Sequence, residues 1–117
     1  MRQFRRSTRL GEQILRDIST MLEVELSENI SAMVTFTKVK MTDDLSQATV
    51  YYSVLGQEHQ RNEAENYFDR EKKRIRYMIG RNLRVRRIPE LRFKFDPSVE
   101  EGMRIEKLLD EIKNDKN

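Results

Sequence analysis

The sequence predicts an α+β fold: one three-stranded sheet with helices on one face, in the order helix, strand, strand, helix, strand, helix. Three observations predict it. Apolar residues recur at helical spacing in three stretches, and strand-like runs rich in β-branched and aromatic residues fill the gaps between them. The third is size. At 117 residues with 37% apolar and 37% charged side chains, the chain supports one thin core, so residues 1–117 are read as one domain.

The first helix covers residues 8–26, where Leu10, Ile14, Leu15, Ile18, Met21, Leu22 and Leu26 fall on one stripe. Ser7 or Thr8 is placed to cap it, and Gly11 allows close packing. Residues 1–7 form a basic arm or the first helical turn. In MVTFTKVKM, residues 33–41, Val39 and Met41 share a face while Val34 and Phe36 have the opposite parity. A bulge, or a strand end covered on both sides, would account for that. TDDLSQ supplies turn formers, and in QATVYYSV, residues 47–54, Ala48, Val50, Tyr52 and Val54 point one way, giving a hairpin. After a loop at 56–62, a helix over 62–82 buries Ala64, Tyr67, Phe68, Ile75, Met78 and Ile79, with Gly80 as a point of bending. Leu91, Phe93 and Phe95 then alternate with Arg92 and Lys94 in a third strand. Its link to the second strand is a right-handed crossover, which makes those two strands parallel. Asp96 or Ser98 caps a last helix whose buried stripe is Ile105, Leu108, Leu109 and Ile112, and residues 113–117 fray.

Several function classes are excluded by composition. There is no cysteine, hence no disulfide or thiolate chemistry, and no apolar run approaches the roughly 18 residues of a membrane span. The basic N-terminus lacks the apolar stretch of a signal peptide, so a cytoplasmic protein with no membrane partner is expected. His59, the only histidine, has no nucleophile pattern beside it; Asp43 and Asp44 are adjacent turn residues whose side chains diverge; no phosphate-cradling glycine motif is present. The chain is expected to be no enzyme and to take no cofactor, metal or small-molecule substrate.

Charge is the informative feature. The formal net charge is only +3, yet residues 17–69 carry three bases and ten acids, whereas residues 70–95 carry eleven bases and two acids. Such separation marks a positive region that suits a polyanion. The cations expected to meet phosphate are Arg2, Arg5, Arg6, Arg9, Lys72, Lys73, Arg76, Arg81, Arg84, Arg86, Arg87, Arg92 and Lys94, with arginine favoured for bidentate phosphate contact. A merely solvated face is the bland alternative, and the clustering of like charge argues against it. Among the aromatics, Tyr52 and Phe68 belong to the core, and Tyr51, on the other face, is the better stacking candidate.

The arginine-rich start, TKVKMTDDLSQATVYYSVLG at 37–56, LRVRRIPELRFKFD at 83–96 and EEGMRIEKLL at 100–109 together resemble the ribosome-binding factor A family. The resemblance implies a KH-like domain of the second topological type. It implies a non-catalytic partner of the 30S small ribosomal subunit and its 16S rRNA in late maturation, with a role at low temperature. Ordinary KH domains clamp RNA with a G-x-x-G loop, which is missing here; the family has an interhelical kink of pattern Ala-x-Gly, matched by Met78, Ile79 and Gly80 with methionine in place of alanine. Two alternatives remain: a stoichiometric ribosomal protein, which the acidic C-terminus disfavours, and a protein interaction module. With no evident exposed apolar stripe, a monomer is expected.

Overall fold

The computed structural model describes residues 2–115, and side chains over 5–113. Six elements follow one another: α1 (Arg2–Asn29), β1 (Met33–Met41), β2 (Gln47–Leu55), α2 (Glu58–Gly80), β3 (Glu90–Phe95) and α3 (Ser98–Asp115). The sheet order is β1-β2-β3, with β1 antiparallel and β3 parallel to the central β2, as the crossover argument requires.

The parity conflict in β1 is resolved by a bulge. Phe36 pairs with Tyr52 and Lys38 with Tyr51, so Thr37 is the extra residue. One inserted residue switches the pleat. Val34 and Phe36 therefore join Val39 and Met41 on the face covered by α1 and α2. Thr37 is held there by donating to Asp96 Oδ2 at 2.7 Å. Asp96 also receives the Ser98 backbone N–H at 3.0 Å, which makes it the cap of α3. Hydrogen bonds from Ser98 first and Thr37 second hold its carboxyl below the usual range.

Ile14, Ile18, Leu22 and Leu26 of α1 pack with Ala64, Phe68, Ile75 and Ile79 of α2 over the sheet. At their centre Phe68 stacks on Phe93 with centroids 4.5 Å apart and tilts against Tyr52 at 4.8 Å. Gly11 lets α1 lie close: a Cβ there would come 3.0 Å from the Val39 carbonyl oxygen. Behind this core, Tyr67 and Arg74 both donate to Glu25, tying α2 to α1. Burial, and then the Glu25 bond, push the Tyr67 hydroxyl above its ordinary range.

The structure corrects several sequence expectations. Ser7 and Thr8 lie inside α1, because the helix starts at Arg2; the basic arm is from there on helical. α2 begins at Glu58, since the Gln60 side chain accepts the Gln57 N–H at 2.7 Å and anchors an earlier start, so His59 is helical and exposed. Met78, Ile79 and Gly80 form the last turn of α2, and no second helix follows before β3; the expected bend is a helix end. The reason is contact. A Cβ on Gly80 would collide with Ile88 Cδ1, so glycine lets the next loop fold back against the helix.

The largest correction concerns α3. Ile105, Leu108, Leu109 and Ile112 are each more than half exposed rather than buried. α1 and α2 already fill the covered sheet face, and periodicity alone does not say what a stripe packs against. The monomer expected from the sequence loses its basis here. Residues 113–115, expected to fray, continue the helix to Asp115, and Lys116 and Asn117 lie outside the described residues.

The hairpin turn is held by Asp44. Its Oδ1 accepts the Thr42 and Ser46 hydroxyls, each at 2.7 Å, and the Ser46 N–H at 3.1 Å, while Leu45 takes a left-handed φ of 62°. These bonds, the Ser46 hydroxyl first, lower its carboxyl to about 2. A depressed folded-state value means that the group stabilises the fold fully above its unfolded value, and that this contribution fades as pH falls towards 2. Asp44→Asn is expected to flatten the acid limb of stability between about pH 4 and 2, as read by thermal unfolding. An unchanged limb would count against the turn geometry.

Candidate nucleic-acid interface

Three elements meet at one end of the molecule: the start of α1, the β1–β2 turn, and the loop 81–89 that follows α2. Their packing is dictated by apolar residues that alternate with arginines. In the loop, Leu83, Val85 and Ile88 turn partly inward and Pro89 is buried, which leaves Arg84, Arg86 and Arg87 exposed. Both ends of the loop are fixed. Ile88 fills the space over Gly80, and Glu90 N–H donates to the Ser46 carbonyl at 2.9 Å.

Arg76 has a structural task here. From α2 its guanidinium donates to the carbonyls of Ile88 at 2.6 Å and Pro89 at 3.0 Å, holding the loop's exit. It positions the cationic loop, and its donors are partly engaged before any ligand arrives. That role was not visible in the sequence, where Arg76 is one base among many.

Arg6, Arg9 and Leu10 of α1 face Leu45, Leu83 and Arg84 across an open groove. Cations far apart in sequence thus converge on one concavity. Arg5 is exposed beside them, and Arg81, Arg86 and Arg87 flank Arg84 along the chain. Among the described residues none of these cations makes an ion pair; the four ion pairs present involve Arg61, Arg70 and Arg74. The side chain of Arg2 lies outside the described residues.

The other expected cations lie elsewhere. Lys72 and Lys73 are exposed on α2, about two helical turns before its end. Arg92 and Lys94 are exposed on β3, on the face that α1 and α2 leave uncovered. Tyr51 is half-buried on that same face, whereas Tyr52 and Phe68 are in the core as expected. Tyr77 is 70% exposed on α2, so it contributes nothing to the core.

Sequence reasoning missed Lys38 and Lys40. Both are exposed on β1, and register places Lys38 opposite Tyr51 and Lys40 opposite Thr49. They were hidden by averaging, since the segment 17–69 is strongly acidic overall. Their alternation with Val39 and Met41 was the available signal.

A protein-family model described as ribosome-binding factor A matches residues 6–109. The chain belongs to the ribosome-binding factor A family. It is 37% identical over 111 residues to ribosome-binding factor A of Macrococcus caseolyticus, covering 95% of this chain and 97% of that one. It is 42% identical over 108 residues to the Citrifermentans bemidjiense protein of the same name, covering 92% and 91%. The crystal structure of ribosome-binding factor A from Thermus thermophilus superposes with a TM-score of 0.64 at 23% identity, over 75% of this chain and 93% of that chain. The KH-like α+β fold implied by the resemblance is thereby that of the ribosome-binding factor A family. Loop 81–89 and all but the first few residues of α1 fall inside the matched region.

Proposed function

We propose that this protein is a non-catalytic ribosome assembly factor that binds the 30S small subunit through its 16S rRNA in late maturation, with its greatest effect at low temperature. The observation that carries the reading is the groove between α1 and the 81–89 loop, where Arg6, Arg9 and Arg84 converge with no carboxylate partner among the described residues. Like charges brought this close repel one another, and phosphate relieves that repulsion while releasing counterions. Arg5, Arg81, Arg86 and Arg87 widen the contact, and Arg92 continues it onto the sheet. Lys72, Lys73 and Lys94 sit at its margins. That the relatives are ribosome-binding factors agrees with a ribosomal polyanion as the ligand.

An assembly factor works transiently, in the cytoplasm, and leaves once maturation makes its site unfavourable. The competing reading is a stoichiometric ribosomal protein. Sedimentation of cell extract separates the two: the protein is expected on free small subunits and absent from assembled ribosomes. Equal amounts in both fractions would overturn the proposal in favour of a ribosomal protein.

A further inference from the structure

We infer that the sheet face opposite α1 and α2 carries a second RNA surface, which takes a single-stranded segment with one base stacked on Tyr51 and the adjoining phosphates on Lys40, Arg92 and Lys94. The inference rests on the RNA-binding reading above, shares Arg92 and Lys94 with it, and adds Tyr51, Lys38 and Lys40.

Two cross-strand rows define the surface. Lys38, Tyr51 and Lys94 stand in register, and so do Lys40, Thr49 and Arg92. The bulge at Thr37 creates this arrangement: without it, Lys38 and Lys40 would point at the helices and Val39 and Met41 at solvent. Adjacent strands lie about 4.8 Å apart, so four cations surround one aromatic ring on the central strand. All four are exposed, and none has an ion-pair partner among the described residues. Glu90 shares their parity on β3 but stands at its outer end, opposite Gln47. Asp96, at the other end of β3, is buried and already bonded to Thr37 and Ser98.

The ring itself is preset. Lys38 Nζ lies over it, 4.7 Å from the centroid. An exposed cation–π contact is weak, so a base takes the place of the ammonium, which turns to the neighbouring phosphate. Duplex RNA offers no free base face to such a platform; a single strand does. A phosphate-only ligand would leave Tyr51 without a purpose, and an acidic peptide would gain little from the ring.

The test uses the full-length protein, a labelled oligouridine of about ten nucleotides and a labelled RNA hairpin, both read by fluorescence anisotropy. Tyr51→Ala is expected to weaken oligouridine binding roughly tenfold and to leave the hairpin unaffected, whereas Tyr51→Phe retains both. The paired change Lys40→Gln and Lys94→Gln, at exposed positions that folding tolerates, lowers the salt slope for oligouridine by about 1.4. Parental affinity for oligouridine in Tyr51→Ala, or an unchanged slope in the lysine pair, overturns the inference. If that happens while glutamates at Arg84, Arg86 and Arg87 still abolish hairpin binding, the groove reading survives alone. Should the parent bind neither RNA but bind polyglutamate, both fall.

Discussion

Exchanging Arg84, Arg86 and Arg87 for glutamate is expected to abolish cosedimentation with small subunits while thermal unfolding stays nearly unchanged. The asymmetry follows from where these side chains sit. All three are exposed and free of ion pairs among the described residues, so folding does not depend on them. Surface substitutions of this kind stay within about 0.5 kcal/mol of neutral for stability. Binding is another matter, because the change turns three positive charges into three negative ones beside Arg6 and Arg9. Three phosphate contacts vanish and three repulsions replace them, which lowers affinity by roughly a hundredfold or more. A variant that cosediments normally would place the interface elsewhere on the molecule.

Phe68→Ala is expected to do the reverse, collapsing stability with no direct effect on the interface. Phe68 is 1% exposed and touches Phe36, Tyr52, Tyr67 and Phe93, so it joins α2 to all three strands. Truncating such a ring costs about 3–5 kcal/mol, against a total of roughly 5–15 kcal/mol for a domain. The melting temperature should fall by roughly 10 °C or more, measured by circular dichroism. A fall of only a degree or two would mean that Phe68 does not join the sheet to α2. Because Phe68 does not line the groove, the surviving folded fraction should still bind RNA.

What could be foreseen from the residues divides along physical lines. Helical stripes such as Ile14, Ile18 and Leu22 were legible because burial imposes a period on the chain. Strand pairing was legible because a hairpin makes β1 and β2 antiparallel neighbours and a helical crossover makes β2 and β3 parallel. The bulge at Thr37 was visible only as a conflict of parity, since either a bulge or double coverage would produce it. The exposure of Ile105 and Leu109 could not be read, because the same stripe serves a core or an external contact. The net positive stretch from Arg70 to Lys94 was plain, but its division of labour was not. Arg74 is held by Glu25 and Glu71, Arg76 holds the loop, and Arg84 faces the groove. Those roles depend on partners far away in sequence, as does the meeting of Arg6 and Arg9 with Arg84.

Phosphate neutralisation by the α1 and 81–89 cations is expected to drive binding. Its most direct test is the salt dependence of affinity for purified small subunits, measured for the parent and for the variant with glutamates at Arg84, Arg86 and Arg87. A linear fall of log K with log salt is expected, with a slope shallower by about 2 in any residual binding by the variant, from three lost contacts at roughly 0.7 each. Affinity that is indifferent to salt, or a slope identical in the two proteins, would contradict it.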